Sequence, residues 1–114
     1  MDARDFLVLA DRLKDSQNEA ERRTSVGRSY YALFNVVLGV SYLTKVKHRP
    51  SGSVGLALHS LRTERNRADY DMSIGINVKS SQFVYRKAAD ALTVFESIPI
   101  NELDEIVKKI QAMP

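Results

Sequence analysis

Residues 24–43, TSVGRSYYALFNVVLGVSYL, are apolar around most of a helical circumference, and no other segment of the chain is. At about 100° per residue, Val26, Tyr30, Leu33, Phe34, Val36, Val37, Leu38 and Val40 cover more than half of the wheel. Arg28, Tyr31, Ala32, Asn35 and Gly39 share the stripe that remains. A helix of this pattern belongs at the centre of a bundle. Its broad arc is expected to be packed by other helices, and its narrow polar or small stripe to be left for a second chain or a ligand. Arg28 and Asn35 also keep the run short of the roughly 18 uninterrupted apolar residues that a membrane span needs.

Outward from this hub the chain reads as helices throughout. Residues 2–15 place Phe6, Leu9, Ala10 and Leu13 on one stripe and predict a first amphipathic helix, with a break at Ser16 to Asn18. The second helix is expected from Glu19 to Leu43. The segment 45–53, KVKHRPSGS, reads as a basic loop in which Pro50 and Gly52 act as breakers. A third helix is expected from about Ser53, as N-cap, to Ala68, with Val54, Ala57, Leu58, Leu61 and Ala68 as its apolar stripe. Residues 69–80 read as a connection. Helix four is expected over Ser81 to Ile98, on the spacing of Val84, Ala88, Ala91, Leu92 and Phe95. Pro99 stops it, and Asn101 caps a short last helix carrying Leu103, Ile106, Val107 and Ile110. No window shows the alternation of a strand. The expectation is an all-α, up-and-down four-helix bundle with an additional short C-terminal helix, forming a single domain over residues 1–114.

Composition narrows the chemistry. At 114 residues, 44% hydrophobic and 27% charged, the chain is an ordinary one-domain globular protein. It has no cysteine, which removes disulfides and thiolate sites, and two well-separated histidines do not make a metal site. No metal and no cofactor are expected. The first residues, MDARDFLVLADRLKD, carry acids and lack a basic leader pattern with a small-residue cleavage site, so a cytoplasmic location and no membrane association are expected. The net charge of +3 is unevenly spread, because residues 21–67 hold nine bases against two acids while both flanks are mildly acidic. Such a basic middle suits an anionic partner, nucleic acid or nucleotide, the alternative being a solvated charged face.

Helix three contains an anomaly. Arg65 falls between Leu58 and Leu61, in the middle of the apolar stripe, with Arg62 and Asp69 at its edge. A guanidinium cannot escape burial by losing its proton, so it needs a carboxylate, a bound anion or a route to water. Asp69, four residues on, can pair with it on the same face. Counted back from Leu43 and forward from Val54, a hairpin of helices two and three puts Arg65 level with Ala32. Arg28, Tyr31 and Asn35 would then flank it, with Arg22, Arg23, Arg62 and Arg67 toward the same end. Guanidiniums, a phenol and an amide converging in one cleft would bind phosphate, and Tyr30, Tyr31 and Tyr70 offer flat faces for a base. For Tyr30, on the apolar arc, core packing is the expected role.

Two stretches, RTSVGRSYYALFNVV (23–37) and LHSLRTERNRADYD (58–71), resemble the HEPN superfamily, named for higher eukaryote and prokaryote nucleotide binding. The shared features are an R-x-Y-Y-A-x-F segment in helix two, here Arg28, Tyr30, Tyr31, Ala32 and Phe34, and an Arg followed by a polar residue near the end of helix three, here Arg65 and Asn66. The resemblance spans about residues 5–98. It implies a bundle that forms a homodimer through helices two and three, bringing both copies of the Arg motif into one cleft. It also implies RNA or nucleotide as ligand, and a toxin–antitoxin or defence system with a nucleotidyltransferase-like antitoxin as partner. Catalytic members are metal-independent endoribonucleases that carry a His four to six residues after the Arg. Here Tyr70 stands at that position, which is closer to a subgroup ending helix three in R-x-A-D-Y, a pattern that Arg65-Asn66-Arg67-Ala68-Asp69-Tyr70 approaches with one residue more. His59 is expected on the far side of helix three from Arg65, and His48 in the loop.

The sequence therefore names Arg65, Asn66 and Tyr70 as the catalytic positions, and Arg28, Tyr31, Arg62, Arg65 and Arg67 as the phosphate-binding set. A neutral Tyr is a poor general base at pH 7, and Asp69, the nearest carboxylate, would be weakened as a base by its pairing with Arg65. Binding with a degenerate ribonuclease site is the expected function. The alternatives are an active endoribonuclease toxin and a protein–protein interaction module without a nucleic-acid ligand.

Overall fold

The computed structural model describes residues 3–36 and 49–99, together with 101, 102, 104, 105, 108 and 112 of the C-terminal segment. Four helices form an all-α bundle: α1 (Ala3–Leu13), α2 (Glu19–Val36), α3 (Arg49–Tyr70) and α4 (Val78–Glu96). The expected continuation of the second helix to Leu43 lies outside the described residues. So does most of the expected last helix, although residues 101, 102, 104, 105 and 108 are helical.

Two helix starts differ from the sequence reading by about a turn. The third helix starts at Arg49 rather than near Ser53, so Pro50 and Gly52 do not break it. Proline in a first helical turn removes an N–H that has no intrahelical acceptor, and its fixed φ suits the helix. The fourth helix starts at Val78 rather than Ser81 because Asn77 caps it, its side chain accepting from the Ser80 N–H at 2.8 Å.

Side-chain contacts fix the directions. Arg4 pairs with Glu96 at one end of α1 and α4, while Ser81 Oγ donates to the Lys14 carbonyl at 2.6 Å at the other, so these helices run antiparallel. Arg23 reaches the Ala68 carbonyl at one end of α2 and α3, and Phe34 shares a cavity with Gly55 and Leu56 at the other. Each helix packs on the next in sequence and α1 closes on α4, which is the up-and-down arrangement. α2 and α4 also meet across the diagonal, and among the described residues α1 and α3 do not touch.

The core follows the apolar stripes. It joins Val26, Tyr30 and Leu33 of α2 to Val54, Leu61 and Ala68 of α3, to Val84, Ala88, Ala91 and Leu92 of α4, and to Ile76 and Ile98. α2 is buried on a second side as well, at Ser25, Ser29 and Ala32. These small residues let α1 approach closely, and Ser25 Oγ donates to the carbonyl of the fully buried Ala10 at 2.7 Å. Ala32 is therefore not part of a free stripe. Asn35 is exposed and donates to its own helix, at the Tyr31 carbonyl, 2.8 Å away. Gly39 lies outside the described residues. Among the described residues no helix is long and apolar enough to cross a membrane.

Candidate phosphate-binding cleft

The arginine that broke the apolar pattern of α3 is held by aromatic rings. The Arg65 guanidinium lies 5.3 Å from the centre of the Tyr30 ring and 5.5 Å from that of Tyr31. The two phenols meet edge to face at 5.3 Å, Tyr30 stacks on Phe34 at 5.6 Å, and Tyr31 tilts against Phe6 at 6.3 Å. Ring faces replace part of the water a guanidinium loses on burial, without using its N–H donors. The side chain is left 18% exposed, and Arg65 Nε is fully enclosed with no hydrogen-bond partner among the described residues.

Its carboxylate partner is loosely engaged. Asp69 Oδ2 stands 3.6 Å from Arg65 Nη1, longer than a hydrogen bond, and the Asp69 side chain is itself 38% exposed. Burial works against the charge on Arg65, but Tyr31, Tyr70 and Asp69 together outweigh it and hold the guanidinium pKa above its ordinary value. Tyr70 takes part from a position beside the guanidinium, although the residue as a whole is 75% exposed.

Beside this pair is a cleft of about 280 Å³ lined by Thr24, Gly27, Arg28, Tyr31 and Asp69. A Cβ at Gly27 would stand at ordinary contact distance, 3.8 Å from Asp69 Oδ1 and 3.9 Å from Arg65 Cγ, filling space that the two polar side chains now border. Arg28 lies over the Phe6 ring at 5.7 Å. Arg65 thus sits beside Gly27 to Tyr31, about one turn earlier on α2 than the expected level at Ala32.

Of the expected set, the structure brings Arg28, Tyr31, Arg65 and Tyr70 together and adds Thr24 and Gly27, which the sequence reading passed over. Arg62 lies apart, lining a different cavity of about 420 Å³ with Tyr30, Phe34, Leu58 and His59. His59 lines that cavity as well, and not the cleft beside Arg65. Asn66 and Arg67 are exposed, and Arg67 pairs with Glu64 at 3.6 Å.

Arg22 and Arg23 are corrected outright, because both are consumed by the fold. Arg23 is 8% exposed and donates to the carbonyls of Ala68 at 2.8 Å, Asp71 at 3.2 Å and Ile74. These close the C-terminus of α3, where unsatisfied carbonyls and the helix dipole favour a cation. Arg22 donates to the Ile76 carbonyl at 2.7 Å and the Ser16 carbonyl at 2.8 Å. Among the described residues no cluster of His, Cys, Asp or Glu could hold a metal ion. The chain matches no protein-family model, no curated protein and no solved structure.

Proposed function

We propose that this chain is a HEPN-like RNA- or nucleotide-binding protein that pairs through α2 and α3, belongs to a prokaryotic toxin–antitoxin or defence system, and carries a degenerate ribonuclease site. The observation that carries the reading is Arg65: a guanidinium held between two tyrosine faces, with a buried unsatisfied N–H and a carboxylate at 3.6 Å, beside a cleft that Arg28 also lines. Two cations and one anion leave that corner with a net positive charge suited to a phosphate oxygen. Tyr70 beside Arg65 can donate to or orient a phosphate but is a poor proton acceptor at neutral pH.

The test is binding of short fluorescein-labelled single-stranded RNA at increasing salt. Affinity should fall steeply, because each neutralised phosphate releases counterion, and Arg65→Ala should weaken binding about ten-fold or more while Lys108→Ala leaves it nearly unchanged. Equal effects of the two substitutions would leave the basic middle as a solvated surface. The same mixtures, held in EDTA and run on a denaturing gel, should show intact RNA. Cleavage that Arg65→Ala abolishes would instead establish an active metal-independent endoribonuclease. Co-purification of a protein partner, with no RNA binding, would favour an interaction module.

A further inference from the structure

Arg65 carries the only buried side-chain nitrogen or oxygen without a partner among the described residues, and the carboxylate nearest to its guanidinium lies in the wall of the adjoining cleft. A purely structural ion pair would be expected to close to hydrogen-bonding distance and to cover the enclosed N–H, since an orphaned buried donor is costly. The pair does neither. Asp69 stands 3.6 Å away, keeps more than a third of its side chain in solvent, and has no hydrogen bond of its own among the described residues. A carboxylate oxygen and a phosphate oxygen ask for the same donors, so Asp69 stands where a ligand oxygen would bind.

We infer that Asp69 is a resident counter-ion which a ligand's phosphate oxygens displace from Arg65, so that Asp69 sets the affinity of the cleft by competing with the ligand. This rests on the phosphate-binding reading of the same cleft. Three features fit displacement. Exposure gives the carboxylate a route into water by side-chain rotation alone. Gly27 has no side chain of its own to fill the space beside it. Arg28 faces the same cleft and gains a partner when the phosphate arrives. Asp69 is then a specificity-determining residue: only ligands whose phosphates interact with Arg65 better than a tethered carboxylate does will bind.

The experiment is a double-mutant cycle on the full chain, with the same labelled RNA as probe. Asp69→Asn keeps the shape and Asp69→Ala removes the group, and melting curves establish that both are folded. Each should tighten RNA binding roughly three- to ten-fold, the range expected for releasing a partly exposed ion pair. The gain should vanish in an Arg65→Ala background, whereas the small gain from removing the remote carboxylate of Asp104 should persist there. Weaker or unchanged binding in both Asp69 variants, with Arg65→Ala still damaging, overturns the counter-ion role alone. A gain that survives Arg65→Ala also overturns it, because it would be general electrostatics. Wild-type and Arg65→Ala proteins binding alike would instead remove the phosphate-binding reading on which it rests.

Discussion

Two arginines on the same side of the hub helix face opposite fates, and their donors explain why. Arg23 spends its guanidinium on backbone carbonyls, at 2.8 and 3.2 Å among others, with Glu19 Oε2 3.9 Å from its Nε, so its burial is compensated within the fold. Arg65 has ring faces, a distant carboxylate and an unused N–H. Arg23→Ala should therefore cost about 3 kcal/mol in chemical denaturation, because it strands several buried carbonyls at once, while Arg67→Ala, at an exposed surface pair, should change stability by less than about 1 kcal/mol. Comparable small effects would mean that the carbonyl cluster finds water instead. The sequence made Arg65 legible, since a cation in an apolar stripe has few explanations. It could not separate Arg22 and Arg23 from the cations at the cleft, because the carbonyls they satisfy belong to the end of α3 and the connection after it, and a helix end has no charge signature of its own.

At the scale of elements, periodicity identified all four helices, and capping chemistry decided where they begin. Asn77 was read as part of a loop, yet its side chain is what starts α4; Pro50 was read as a breaker, yet it falls in the one turn where proline costs least. Between α3 and α4, the Asp71 carboxylate accepts from the Ser73 N–H at 3.1 Å and from the Ser73 hydroxyl. The Ser73 hydroxyl first, and its N–H second, hold the Asp71 carboxyl below its ordinary value of 3.8. A lowered folded-state pKa contributes stability above the ordinary value and loses it as pH falls through the folded one. Asp71→Asn should therefore lower the melting temperature at pH 7, and the difference from the natural protein should shrink as the pH is taken below about 3.8. A difference constant from pH 7 to strongly acid conditions would assign the effect to the shape of the turn and not to its charge.

For the molecule as a whole, the bundle was readable from hydrophobic spacing, but its free surface was not. The stripe reserved for a second chain loses Ala32 to the packing of α1, which needed Ser25, Ser29 and Ala32 to come close to Ala10. Small residues on a helix mark close approach without naming which neighbour approaches. Pairing through α2 and α3 predicts a dimer by light scattering at tens of micromolar protein, and a monomer at that concentration would leave each cleft to act alone.

The clasp between Arg23 and the end of α3 also bears on synthesis. The carbonyls that receive this guanidinium belong to residues 44 to 51 positions further along the chain, the last of them Ile74. While the protein is being made, α1 and α2 can emerge and pair before any of those acceptors exists. Until residue 76 has left the ribosome these acceptors are incomplete: Arg22 has the Ser16 carbonyl but not that of Ile76, and Arg23 lacks part or all of its carbonyl set. Completion of the α3–α4 connection engages the guanidiniums of Arg22 and Arg23 on backbone carbonyls and leaves that of Arg28 lining the cleft.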